Sequence, residues 1–134
     1  MSTEKYKRRL MAIFSADVAG YSSLMGEDEA ATVSTLMAYR EIMAMIIKKH
    51  QGRVVDSPGD NLLAEFTSVV NAMRCAVKTQ DELKIRNDVL PENRKMEFRI
   101  GVHLGDVIVE GARIYGDGVN MAARIEGLAE ASGI

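Results

Sequence analysis

At 134 residues the chain has the length of one domain, enough to bury a single core. Apolar residues make up 47% and charged residues 27%, and a net charge of −2 argues against a nucleic-acid-binding surface. The lone cysteine, Cys75, excludes an internal disulfide and fits a reducing compartment.

The basic cluster "EKYKRR", Glu4 to Arg9, carries its own acid and reads as part of a solvated N-terminal arm over residues 1–8. "RLMAIFSADVAG" predicts a buried strand over about Leu10–Asp17, closed by Gly20. In "DEAATVSTLMAYREIMAMIIKKH" the apolar residues Val33, Leu36, Met37, Ile42, Met45 and Ile46 recur at helical spacing. Asp28 and Glu29 near its start and Lys48 and Lys49 near its end suit the helix dipole, and Gly52 stops it. "GRVVDSPGDNLLAEF" reads as strand, turn, strand.

A second long helix follows in "TSVVNAMRCAVKTQDELKIRNDVL", with Thr67 or Ser68 as cap and Pro91 beyond its end. Within it Cys75 has the spacing of a core-facing residue, and reads as a small buried side chain rather than a reactive thiol. "MEFRIGVHLGDVIVEGARI" predicts two alternating strands joined near "LGD", and a last helix opens near Val119. This order implies an α+β fold: a ferredoxin-like βαββαβ core, an antiparallel sheet with helices on one face, plus an extra strand and a C-terminal helix. The closing "EASGI" is a turn followed by one apolar residue, where a strand is expected; the chain reads as a single domain over 1–134 that lacks its last strands. No window reads as a membrane span and the start lacks a signal-peptide core, so the expected location is cytoplasmic, with no membrane contact from this segment.

Two carboxylates stand where chemistry is expected. Asp17 ends a strand before a small-residue turn, and can aim an oxygen at a hard cation or cap the next helix. Asp60 sits at a hairpin turn after Gly59, which a split β-α-β sheet can bring beside the end of the first strand; the alternative is an Asp–Gly turn with no ligand. Asn120 and Arg124, at i and i+4, share a helix face and suit a ribose oxygen and a developing phosphoryl charge, or are ordinary surface polar residues. His50 reads as solvated and His103 as structural, and there is no P-loop or Cys/His metal spacing.

"FSADVAGYSSLM", "GRVVDSPGDNLLAEF", "FRIGVHLGDV" and "YGDGVNMAARIEGLA", in this order, resemble the catalytic domain of class III nucleotidyl cyclases from about Arg9 to the last residue. The resemblance implies conversion of a nucleoside triphosphate into its 3′,5′-cyclic monophosphate and pyrophosphate. It implies two Mg2+ or Mn2+ ions held by Asp17 and Asp60, with the Val18 carbonyl as a further ligand and the amides of Ala19, Gly20 and Tyr21 meeting phosphate. Asn120 matches the ribose-orienting residue and Arg124 the residue that stabilises the transition state. The family builds its site between two such domains, so a homodimer with shared active sites is implied, and a monomer should be nearly inactive.

Two departures stand out. Adenylate-forming members usually read the base with a lysine and an aspartate, but here those positions are Asp56 and Arg113, a charge-reversed pair. A family lysine that binds triphosphate falls beyond Ile134. ATP is expected over GTP on the family's habits alone. The competing expectation is a cyclase-homology module that binds nucleotide or dimerises without turnover. A third, a polymerase-palm or diguanylate-cyclase phosphotransfer fold, has no place for the asparagine–arginine helix.

Overall fold

The structure, a computed structural model, describes residues 7–56, 59–110, 113–115, 125 and 127–134. The elements in chain order are β1 (Lys7–Val18), α1 (Tyr21–Glu27), α2 (Glu29–Lys49), β2 (Arg53–Asp56), β3 (Leu62–Phe66), α3 (Val69–Asp88), a 3-10 turn (Glu92–Arg94), β4 (Phe98–Glu110) and β5 (Arg113–Tyr115). The sheet order is β2-β3-β1-β4-β5, and every pairing is antiparallel. The antiparallel α+β expectation holds, extra strand included. The expected last helix, opening near Val119, falls largely outside the described residues.

β1 is the centre of the sheet because it is apolar on both faces. Ala12, Phe14, Ala16 and Val18 point into the helical layer, while Met11 and Ile13 join Val55 and Val107 on the other side. It is longer than the sequence suggests at both ends, and begins inside the expected arm. The predicted join near "LGD" is not there. β4 runs straight through it, because Gly105 keeps its place in the ladder opposite Met11, and the chain turns back only after Glu110.

Two helices cover one face. In α2 the Asp28 side chain accepts from the Ala31 amide at 3.0 Å, as an N-cap should. The helix buries Thr32, Leu36, Tyr39, Met43, Ile46 and Ile47. The predicted apolar face is therefore misphased: Val33, Met37 and Met45 are exposed. Thr32 takes an inward place because its hydroxyl donates to the Leu24 carbonyl at 2.8 Å, so its polar atom is satisfied. A second correction concerns membranes: α2 is one helix long and apolar enough to cross one by length and composition, contrary to the sequence reading. In the structure it lies on the sheet as a core helix.

Ser68 caps α3, accepting from Asn71 at 3.2 Å. Buried Asn87 near its end ties three elements together. Its Oδ1 accepts from the Tyr39 hydroxyl of α2 at 2.7 Å and from the Met96 amide at 3.1 Å, and its Nδ2 donates to the Met96 carbonyl at 2.8 Å. The chain end lies along β4: the Ser132 amide donates to the Phe98 carbonyl at 3.0 Å and the Ile100 amide to the Gly133 carbonyl at 3.1 Å. Gln80 of α3 donates to both carbonyls, at 3.0 and 2.9 Å.

Cys75 is fully buried, as its spacing suggests. Burial pushes its thiol up to about 11, with the Thr79 hydroxyl pulling weakly the other way. The unfolded thiol ionises first, so this contribution to stability holds below about pH 8.5 and is lost as pH rises toward the folded value. A thiol reagent at about pH 8 is expected to label the native chain at least about a hundredfold more slowly than the urea-unfolded chain. Similar rates would show that the α3 core opens freely.

Candidate functional site at the end of the first strand

Because Ala16 and Val18 face the helices, the strand pleat puts Asp17 on the opposite face. Its register partner on β4 is Arg99. The guanidinium meets the carboxylate two-pronged, Nε to Oδ1 and Nη2 to Oδ2, each at 3.2 Å. Both side chains are partly exposed.

Past Val18 the chain turns sharply. The Ala19 amide donates to the Glu97 carbonyl at 2.8 Å, so of the three turn amides singled out, this one is already engaged within the fold. Gly20 adopts φ 68°, the left-handed region that glycine enters without strain, and α1 starts at Tyr21. The N-cap of α1 is Gly20 with no side-chain cap, so Asp17 is not the helix cap that sequence left open. The Tyr21 ring packs against the helical core.

Asp60 reaches the same place from the β2–β3 hairpin. Its Oδ2 accepts from the Val18 amide at 3.1 Å, one residue along the chain from Asp17. Its turn is clamped from two sides. Arg40 of α2 donates from Nη2 to the Gly59 carbonyl and, at 2.8 Å, to the Asn61 carbonyl. Asn61 in turn donates to the hydroxyl of buried Ser15, at 3.2 Å.

Two carboxylates thus stand near one strand end, Asp17 paired with the Arg99 guanidinium and Asp60 on the Val18 amide. All the donors are oxygens, which suits a hard cation. Among the described residues no group of three or more His, Cys, Asp or Glu gathers. A pair of carboxylates, completed by water and phosphate oxygens, is how magnesium is usually held, so the residues fit that ion.

The remaining predicted residues are placed less fully. Asp56 ends β2 at a register shift opposite Leu63, and Arg113 opens β5 opposite Glu110; their side chains lie outside what the structure describes. β2 and β5, the two edges of the sheet, approach each other. Asn120 and Arg124 lie outside the described residues. His50 is not simply solvated, since its Nδ1 is 2.8 Å from the Ile46 carbonyl. His103 stands in β4 opposite Ile13. A groove of about 280 Å³ between α2 and α3, floored by Ile42 and Ile46, contains none of the site residues.

Sequence reasoning missed Arg99, Arg40 and Asn61. The first is the lone charge in "FRIGV", where alternation leaves it on the face opposite the buried Phe98 and Ile100; the other two carry no local signal.

The sequence model of the adenylate and guanylate cyclase catalytic domain matches residues 3–134. The chain belongs to that family. "Putative adenylate cyclase 3" of Rhizobium meliloti (strain 1021) is 47% identical to this cyclase domain over 135 residues, covering all of it and 23% of the relative. The domain thus spans about a quarter of that protein. An adenylate/guanylate cyclase/hydrolase from Silicibacter pomeroyi shares the fold with a TM-score of 0.88 at 37% identity, over 96% of this chain and 75% of that one. A bacterial light-regulated adenylyl cyclase follows with a TM-score of 0.84 at 27% identity, over 94% of this chain and 41% of that one.

Proposed function

We propose that this domain is the catalytic part of an adenylate cyclase, turning ATP into 3′,5′-cyclic AMP and pyrophosphate at the interface of a homodimer. The observation that supports the reading is that Asp60 Oδ2 accepts from the Val18 amide, one residue beyond Asp17 at the end of β1. Asp17, Asp60 and the Val18 carbonyl would hold two Mg2+ or Mn2+ ions. A metal bound there would make the ribose 3′-hydroxyl a better nucleophile and offset charge developing at the α-phosphorus. Gly20 and Tyr21 present the turn to the polyphosphate. Asn120 and Arg124 of a second copy orient the ribose and stabilise the transition state.

Asp56 and Arg113 address the base with donor and acceptor exchanged: Asp56 accepts from adenine N6 and Arg113 donates to N1. Relatives named as adenylate cyclases, at 47% and 26% identity, favour ATP. A guanylyl cyclase, Cya2, shares the fold at 26% identity, so shape does not choose the base. The lone buried cysteine supports a reducing, cytoplasmic setting. The rival reading, a module that binds nucleotide without turnover, draws on the reversed pair.

Turnover by the full-length protein with Mn2+ decides between them. More cyclic AMP from ATP than cyclic GMP from GTP is expected; no product from either, with nucleotide still bound, favours the module. Exchanging the pair, Asp56→Lys with Arg113→Asp, is expected to change the ATP/GTP ratio of kcat/KM at least about tenfold. An unchanged ratio in an active enzyme would remove these two residues from base reading.

A further inference from the structure

We infer that Arg40 is a positioning residue for Asp60: from the middle of α2 it sets the hairpin turn that presents this carboxylate at the end of β1. The inference deepens the metal-site reading above and rests on it only for the ion. Arg40 lies next to buried Tyr39 and one turn from buried Leu36 and Met43, on the flank of a core helix where a cation would ordinarily stretch outward to water. Instead Nη2 donates to the carbonyls of Gly59 and Asn61, the residues on either side of Asp60.

The Gly59 carbonyl lies in the peptide plane that leads into Asp60 and the Asn61 carbonyl in the plane that follows Asn61, so the two bonds pin the turn on both sides of the Asp60–Asn61 peptide, and peptide planes are rigid units. The Asp60 side chain then has one short reach to make, and it makes it to the Val18 amide. The Asn61–Ser15 bond adds a third anchor on the same turn. Asp60 is thus placed by a helix on one face of the sheet and by the strand it serves. Gly59, at φ 59°, contributes a bend that glycine accepts readily but holds no more firmly than any other conformation, so the rigidity comes from the arginine.

The test uses backbone amide NMR spectra of the 134-residue chain. Asp60→Asn gives the reference position of the Val18 amide without its charged acceptor. Arg40→Met is expected to move the Val18 amide toward that position. It is also expected to raise the Mn2+ concentration that broadens the Val18 and Asp60 amides at least fivefold, with Arg40→Lys restoring part of both. A lower melting temperature with the Val18 amide and the Mn2+ midpoint unchanged would overturn the inference and leave Arg40 as a merely structural clamp. If Arg40→Met does not fold, Arg40→Lys is read alone: intermediate values support positioning, and wild-type values refute it. Should Mn2+ fail to broaden these amides in the wild-type chain, the metal reading falls, while the Val18 shift still decides the role of Arg40.

Discussion

Asp17→Asn is expected to lower cyclic-nucleotide formation by the full-length protein at least about a thousandfold, roughly 4 kcal/mol of transition-state stabilisation, while the fold stays intact. The change keeps side-chain volume, and an amide oxygen can still accept from Arg99. What disappears is the negative charge that would hold a divalent ion. The pair with Arg99 is partly exposed, so its loss costs about 1 kcal/mol or less. Turnover with Mn2+ and a thermal melt, run side by side, check both halves of this expectation. Activity within about tenfold of wild type would take Asp17 out of the metal site, whatever the melt shows.

Gly52→Ala is expected to destabilise the fold strongly. A Cβ there would lie 2.3, 2.6 and 2.8 Å from three carbons of the Phe66 ring. That ring cannot swing aside: Phe66 is 1% exposed and packs against Phe14, with ring centroids 6.2 Å apart. Overpacking of this kind costs about 3 kcal/mol, which for a chain of this size is a drop of roughly 10 °C in Tm. Thermal unfolding followed by circular dichroism measures it, and a drop under about 3 °C would mean that the helix-to-strand link yields more easily than the packing indicates. The sequence marks Gly52 as a helix stop. The structure adds a different reason for it, close approach rather than backbone freedom, since the positive φ in this turn belongs to Gln51.

Much of the architecture could be read from residue patterns, because alternation and helical spacing report burial directly. β1 was recognisable as a buried strand from its unbroken apolar run, and α3 from its cap and its end. The misphased face of α2 has a physical cause: Thr32 and Tyr39 are buried through hydrogen bonds, which an apolar count ignores, while Met37 and Met45 are long flexible side chains that the structure leaves exposed. α1 was missed because it buries no residue and starts at a left-handed glycine instead of a polar cap. At the site, Asp17 and Asp60 were legible as carboxylates at a strand end and a turn. Arg99 and Arg40 were not, because their meaning comes from pairing across the sheet and from a helix folding back on a hairpin. Strand register put Arg99 opposite Asp17, 82 positions away in the chain.

The Asn87 amide is the feature with the widest mechanical reach. With Tyr39 on one helix and Met96 on the segment entering β4, it serves three hydrogen-bonding groups at once. Neither long helix can peel from the sheet alone without stranding a buried donor or acceptor, which costs more than the bond itself contributes. The helical layer is therefore expected to open as one cooperative unit rather than helix by helix.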